Sequence, residues 1–179
     1  MNDLSVCVLG LGYIGLPTAS LLATKGFEVL GVDVQQNVVD TINDGKIHIV
    51  EPDLDALVQS AVDSGQLRAS TKPEPSDVFI IAVPTPFRPD KTADISYIEA
   101  AAHALAPVLA CGNLVVLEST SPVGTTERLA EIIKSQRPEL MKDGILDVHV
   151  AHCPERVLPG KILQELVEND RIVGGLTPV

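Results

Sequence analysis

Three glycines near the N-terminus have a spacing that suits the binding of a phosphate group. The segment Gly10-Leu11-Gly12-Tyr13-Ile14-Gly15 fits the pattern G-x-G-x-x-G, and it lies between an apolar run and an amphipathic stretch. Gly10 permits a tight turn, Gly12 leaves room for a pyrophosphate, and Gly15 lets a helix pack against a strand. Free N–H groups at the start of that helix would donate to the phosphate charge. The pattern therefore predicts a dinucleotide-binding turn.

An acidic residue follows the next apolar run. Asp33 lies about 20 residues beyond the glycine turn, the spacing expected of a carboxylate that binds the adenosine ribose hydroxyls. Such a carboxylate repels a 2′-phosphate, and residues 34–39 contain no Arg or Lys that would bind one. We therefore expect the cofactor to be NAD rather than NADP. A Gly-rich structural turn with a surface Asp is the alternative interpretation.

Hydroxyl groups and prolines follow two later apolar runs. Val83-Pro84-Thr85-Pro86 places two prolines around one hydroxyl, and residues 118–126 form a hydroxyl-rich segment that leads into a helix. Ligands collect at the carboxyl ends of the strands in an open α/β sheet, so we expect both loops to line one site. For the hydroxyl-rich loop alone, ordinary helix capping with Pro at the first turn is the commoner role.

Glu155 stands just beyond another predicted strand and is a candidate for general acid–base work. A salt bridge to Arg156 or Lys161 is the alternative role for this carboxylate. His152 and Cys153 could suggest a base and a nucleophile, but adjacent residues of a strand point to opposite faces. We therefore expect Cys153 to be structural.

Composition excludes several other classes of protein. The chain has 179 residues, is 45% hydrophobic and carries a formal net charge of −11. A disordered chain and a general nucleic-acid binder are both disfavoured, whereas a small anionic ligand is compatible with local backbone donors.

The cysteines and the apolar runs bear on metal sites and on location. The three cysteines form no C-x-x-C pair, so we expect neither a disulfide framework nor a metal site. No apolar run approaches the roughly 18 residues that a membrane span needs, and the N-terminus has no basic, signal-like segment. We expect a cytoplasmic protein with no membrane partner.

Apolar runs rich in Val and Ile alternate with helix-length stretches along the whole chain. The predicted strands are residues 4–9, 27–32, 67–70, 78–83, 114–117, 145–150 and 171–173. The predicted helices are residues 14–25, 36–43, 53–64, 97–109 and 125–134, and Ser96 with Glu99 forms a predicted capping box. This alternation predicts an α/β fold of the Rossmann type, with a doubly wound, mostly parallel sheet and helices on both faces. Residues 1–179 are interpreted as one domain of a longer protein.

Together these motifs resemble the UDP-glucose/GDP-mannose dehydrogenase family. The likeness covers essentially the whole chain and corresponds to the N-terminal NAD-binding domain of that family. It is carried by residues 10–15, Asp33, residues 83–86, residues 119–125 and Pro154-Glu155. Three further segments, residues 47–54, 118–122 and 153–160, resemble the branch that oxidises UDP-N-acetyl-D-mannosamine.

The resemblance implies a four-electron oxidation of the C6 alcohol of a UDP-sugar to a carboxylate, with reduction of two NAD+. It also implies a catalytic cysteine, a central helix and a UDP-sugar domain that are absent from residues 1–179. We therefore expect this chain to be inactive alone and the full-length enzyme to be a homodimer or a higher homo-oligomer. A product of this kind would serve polysaccharide synthesis.

The resemblance also assigns roles to individual residues. Glu155 would be the acid–base group in thioester hydrolysis, and Thr120 would orient the water near the nicotinamide. The implied cofactor-binding residues are Gly10, Gly12, Tyr13, Ile14, Gly15, Asp33, Val83, Pro84, Thr85, Ser119 and Thr120. The implied substrate-binding residues are Arg156, Val157, Leu158 and Gly160.

Two departures from the family pattern stand out. Pro159 replaces a second acid of UDP-glucose enzymes, which favours a 2-acetamido sugar without fixing the epimer. Val38 stands where relatives often have a basic residue near the adenosine, so cofactor affinity would be weaker there.

The sequence is also compatible with two other functions. A β-hydroxyacid or 6-phosphogluconate type of dehydrogenase would need a catalytic lysine after the fifth or sixth strand, and Lys134 stands too late in its helix for that role. A module that senses NAD without chemistry is the other alternative. A glycine-flanked cysteine in the remainder of the protein would favour the enzyme.

Overall fold

Seven strands form one mostly parallel sheet in the computed structural model, which describes residues 4–176. The sheet contains β1 (Ser5–Leu9), β2 (Glu28–Val32), β3 (Leu67–Ser70), β4 (Val78–Ile81), β5 (Leu114–Leu117), β8 (His149–His152) and β9 (Gly174–Gly175). Their order is β3-β2-β1-β4-β5-β8-β9, and only the β8–β9 pair is antiparallel among these neighbours. The chain adds β2 and β3 on one side of β1 and then returns to add β4 on the other side. The order of the strands therefore reverses between β1 and β4. A separate antiparallel pair joins β6 (Met141–Lys142) to β7 (Ile145–Leu146).

Helices cover both faces of this sheet. They are α1 (Gly15–Thr24), α2 (Gln36–Asn43), α3 (Leu54–Asp63), α4 (Ser96–Leu105), α5 (Thr125–Gln136) and α6 (Ile162–Glu168), with short 3₁₀ turns at Ala106–Val108 and Pro138–Leu140. In residues 4–176, none of the helices has the length and apolar character that crossing a bilayer requires.

The alternation of side chains along β1 explains why its sequence is apolar throughout. Val6 and Val8 pack into the layer that contains α1, α2 and α3, whereas Cys7 and Leu9 pack into the layer with α4 and α5. A strand buried on both faces has no polar side, which is typical of a parallel sheet between two helical layers. The predicted fold class is confirmed.

Several predicted boundaries were wrong. The strand predicted at residues 145–150 divides into β7 and β8, because the first part pairs with β6 before the chain enters the main sheet at His149. The strand predicted at residues 171–173 is instead Gly174–Gly175, and α6 was not predicted.

The predicted capping box at the start of α4 was also wrong. Ser96 is the first helical residue, and its N–H donates to Asp94 Oδ1 at 3.0 Å. Glu99 accepts a hydrogen bond from Arg128 Nε at 2.8 Å, so its carboxylate joins α4 to α5 instead of capping α4.

Candidate functional site

A cavity of about 270 Å³ lies at the carboxyl ends of β1, β2 and β4. This is the point where the order of the strands reverses, and ligands of open α/β sheets bind at such a point. The lining residues are Leu9, Gly10, Val32, Asp33, Val34, Gln35, Thr71, Pro73, Val83, Pro84, Tyr97, Ala100, Ala101 and Ala104. One half-buried carboxylate therefore faces a largely apolar chamber.

The glycine turn borders this cavity through Gly10. Gly10 has a φ of +90°, and its N–H donates to Val32 O at 2.8 Å, which ties the turn to β2. A Cβ atom on Gly15 would lie 1.8 Å from Gly10 O, so the close approach of α1 to the turn excludes a side chain. A Cβ atom on Gly12 would meet nothing within 4 Å. The space above Gly12 is thus open to a ligand.

The start of α1 supplies hydrogen-bond donors to that space. Within residues 4–176, the N–H groups of Gly12, Tyr13 and Ile14 donate to no protein acceptor. No acidic residue stands in the first turn of α1, so nothing there offsets the partial positive charge of the helix start. These donors fit a pyrophosphate.

Asp33 is held in place by two backbone amides. Its Oδ2 accepts a hydrogen bond from Leu11 N at 3.1 Å, and its Oδ1 accepts one from Gln35 N at 3.0 Å. Each carboxylate oxygen retains a lone pair, so the group can also accept ribose hydroxyls. None of the cavity-lining residues in the described part of the chain is Arg or Lys, which fits NAD better than NADP.

Two hydroxyl groups join the ends of β4 and β5. The buried Ser119 Oγ donates to Val83 O at 2.8 Å, and Thr85 Oγ1 donates to Thr120 O at 2.7 Å. The structure thus brings the two predicted loops together. The hydroxyls of Ser119 and Thr85 stabilise the loops internally, while Thr120 is exposed.

Glu155 lies next to the end of β5. Its N–H donates to Glu118 O at 3.3 Å, and its Oε1 accepts a hydrogen bond from Arg156 N at 2.7 Å. Its Oε2 forms an ion pair with Arg171. Glu155 therefore forms a salt bridge, which is the alternative role named for it above. The partner of Glu155 is Arg171 and not the side chain of Arg156 or Lys161.

The predicted substrate segment follows Glu155 and is fixed largely through its backbone. Leu158 N donates to Glu165 Oε2, and Gly160 N donates to Glu51 Oε2, both at 2.8 Å. The side chain of Arg156 donates from Nη2 to Asp170 O at 2.9 Å. Leu158 itself is exposed, so this segment presents a surface beside the acid.

Two cysteines are unsuited to act as nucleophiles. Burial raises the pKa of the Cys7 thiol to about 12, and burial likewise raises the pKa of Cys153. A ring nitrogen of His152 lies 2.9 Å from Leu117 O, where it serves the backbone of β5. These contacts agree with the expectation that Cys153 is structural.

Several site residues were missed by the sequence reasoning. One tyrosine and three alanines of α4 line the cavity at helical spacing, a signal that could have been found: Tyr97, Ala100, Ala101 and Ala104. Glu118 and Arg171, which surround Glu155, carried no local signal. Val38, which departs from the family pattern, is buried in the core.

Comparison with known proteins identifies the family. A family model described as "UDP-glucose/GDP-mannose dehydrogenase family, NAD binding domain" matches residues 4–179. The chain belongs to the UDP-glucose/GDP-mannose dehydrogenase family. Its residues form the NAD-binding domain of that family, and the cofactor of this domain is NAD.

Named relatives are similar along the whole chain. An NDP-N-acetyl-D-galactosaminuronic acid dehydrogenase of Ralstonia nicotianae is 64% identical over 97% of this chain and 42% of the relative. A UDP-N-acetyl-D-mannosamine dehydrogenase of Campylobacter jejuni is 58% identical over 99% of this chain and 45% of the relative. The chain thus spans less than half the length of these relatives.

A solved structure has the same fold. The UDP-N-acetyl-mannosamine dehydrogenase of Staphylococcus aureus aligns with a TM-score of 0.89 at 45% identity, over 97% of this chain and 42% of that chain. This likeness shows that the chain and that solved structure share the same fold.

Proposed function

We propose that this chain is the cofactor-binding part of an enzyme that oxidises the C6 alcohol of a UDP-linked 2-acetamido sugar to a carboxylate, with reduction of two NAD+. The observation that carries the proposal is the open cavity at the reversal of strand order, with Asp33 at one end and the bare Gly12 turn beside it. Glu155, which lies next to the end of β5, supplies the acid–base group that a dehydrogenase of this kind needs.

Each part of the site has a task in this proposal. NAD+, when bound, supplies the hydride acceptor. Asp33 accepts hydrogen bonds from the ribose, and the amides of residues 12–14 donate to the pyrophosphate. Glu155 takes a proton from the water that hydrolyses a thioester, and Thr120 orients that water. The thioester forms on a cysteine outside these 179 residues, as the family resemblance implies. Cys7 and Cys153 are buried, and the exposed Cys111 precedes β5, at the strand end opposite to the site.

Two sugars are candidates for the substrate. The relative from Campylobacter jejuni and the Staphylococcus aureus structure are named for UDP-N-acetyl-D-mannosamine, which makes this sugar our first candidate. The more identical relative from Ralstonia nicotianae is named for N-acetyl-D-galactosaminuronic acid, so UDP-N-acetyl-D-galactosamine is the second.

The proposal includes the setting of the enzyme. We place residues 1–179 as one domain of a longer polypeptide that also contains a UDP-sugar domain and that assembles as a homo-oligomer. A cytoplasmic location suits the three free cysteines and the cofactor. The family assignment favours this enzyme over the β-hydroxyacid type of dehydrogenase.

The test is an assay of the complete gene product that contains this chain. UDP-N-acetyl-D-mannosamine, UDP-N-acetyl-D-galactosamine and UDP-glucose are each supplied with NAD+, and NADH is followed by its absorbance. We expect two NADH for each molecule of one acetamido sugar, a uronate product by mass spectrometry, and little turnover of UDP-glucose. Absence of turnover with every UDP-sugar would overturn the proposal.

A further inference from the structure

One arginine joins two acidic side chains that follow β5 and β8. Arg171 Nη1 lies 3.1 Å from Glu118 Oε1, and its Nη2 forms an ion pair with Glu155 Oε2. The glutamate side chains are 2% and 7% exposed, whereas that of Arg171 is 37% exposed. The guanidinium therefore connects a buried acid at the end of β5 with the acid that follows β8. We call these three residues the Arg171 bridge.

Contacts from other elements fix the buried end of the bridge. Thr18 Oγ1 on α1 donates to Glu118 Oε2 at 3.5 Å, so both oxygens of Glu118 have a partner. Cys153 Sγ lies 4.0 Å from Arg171 Nη1 on another side. The guanidinium is thus held by two carboxylates, while 37% of the Arg171 side chain stays exposed to solvent.

Arg171 supplies the positive charge between the two carboxylates of the Arg171 bridge. Burial raises the pKa of Glu118, and the guanidinium of Arg171 opposes that shift. A buried carboxylate that loses its partner is costly, and two neighbouring carboxylates repel each other. The single positive charge of Arg171 therefore faces both carboxylates and counters their mutual repulsion.

The bridge also restricts the carboxylate of Glu155. Its Oε2 is paired with Arg171, while its Oε1 accepts the N–H of Arg156 at 2.7 Å. With a separate partner on each oxygen, the carboxylate plane cannot rotate freely. Each oxygen still has a lone pair for a water molecule.

We propose that Arg171 is a positioning residue, which holds the Glu155 carboxylate in its working orientation, and that Glu118 is the buried anchor of Arg171. The inference rests on the proposed acid–base role of Glu155. A purely structural role for Arg171 is the competing interpretation. The neighbouring Ile172 and Val173 are exposed, and β9 has only two residues, so little apolar packing holds this segment.

The first experiment measures the position of Glu155 in the 179-residue chain. Isotope-labelled glutamate carboxyls are observed by NMR at neutral pH in the wild type, Arg171→Met, Arg171→Lys and Glu118→Gln. We expect the Glu155 signal to move towards that of a solvated carboxylate in Arg171→Met and Glu118→Gln, and to be largely restored in Arg171→Lys. Arg128→Met is the control, because Arg128 also pairs with a glutamate, Glu99, but on the outer helices.

The second experiment measures turnover of the complete gene product with the same variants. We expect Arg171→Met to lower kcat by about tenfold or more with little change in KM for NAD+, because positioning of the acid–base group is lost. Arg171→Lys should recover part of kcat, and Arg128→Met should retain it.

The outcomes separate this inference from the proposed function. A Glu155 signal that does not move in Arg171→Met, or a kcat no lower than that of Arg128→Met, would overturn the positioning role. If Arg171→Met does not fold, the nearly isosteric Glu118→Gln decides by the same NMR criterion. If the wild type oxidises no UDP-sugar, the proposed function fails and the catalytic part of this inference fails with it, while the NMR result still decides whether Arg171 orients Glu155.

Discussion

Gly12 and Gly15 belong to one motif, but the absence of a side chain has a different physical basis at each position. At Gly15, a Cβ atom would lie 1.8 Å from Gly10 O, so the protein's own packing requires glycine. At Gly12, a Cβ atom would meet nothing within 4 Å. The bare surface at Gly12 therefore serves a ligand and not the fold.

This contrast predicts opposite results for two small substitutions. Gly12→Ala should leave the free energy of unfolding within about 1 kcal/mol of the wild type while weakening NADH binding, because the methyl group enters the phosphate space. Gly15→Ala should lower the free energy of unfolding by about 1–3 kcal/mol or more, because α1 must move away from the turn. Denaturant unfolding and NADH titration measure the two effects. If Gly12→Ala binds NADH with the affinity of the wild type, the phosphates do not lie above Gly12 and this prediction is wrong.

At the scale of elements, the strands were predictable and the last helix was not. Burial of β1 on both faces leaves a continuous apolar run in the sequence. Strands β4 and β5 are also continuous apolar runs, in which buried and half-buried residues alternate. Helix α6 has only seven residues, and a residue far earlier in the chain accepts hydrogen bonds from its first turn. That partner is Glu51, which is 5% exposed and accepts hydrogen bonds from Gly160 N and Ile162 N. No local pattern could reveal this contact.

Glu51 therefore links the segment before α3 to the predicted substrate segment. Glu51→Gln replaces one accepting oxygen by an NH₂ group, which would face a backbone donor. We expect a loss of about 1–3 kcal/mol in the free energy of unfolding and faster hydrogen exchange at Gly160 and Ile162. Asp55→Asn, at an exposed position of α3, is the control and should leave both quantities unchanged. Unaltered exchange at both amides in Glu51→Gln would contradict the proposed link.

At the scale of the whole molecule, the sequence predicts those loops of the site whose positions follow from the order of the strands. Parallel strands place their carboxyl ends on one edge, so the loops after β1, β2, β4 and β5 had to meet. The Arg171 bridge was not predictable, because it depends on side chains that lie 16 and 53 positions apart in the chain. Its arginine was assigned to a strand that forms only at Gly174–Gly175.

The net charge of −11 acts against an anionic cofactor over the whole surface. Local hydrogen-bond donors oppose this unfavourable net charge, because the amides at the start of α1 face the open space above Gly12. Local donors of this kind explain how a strongly acidic domain can bind a dinucleotide.

The most direct test is calorimetric titration of the 179-residue chain with NADH and NADPH, in the wild type, Asp33→Ala and the surface control Asp40→Ala. The account predicts saturable one-to-one binding of NADH, weaker binding of NADPH, a loss of about 1–3 kcal/mol in binding free energy in Asp33→Ala, and no loss in Asp40→Ala. Circular dichroism verifies that each variant is folded. Absence of NADH binding at millimolar concentration, or an unchanged affinity in folded Asp33→Ala, would contradict it.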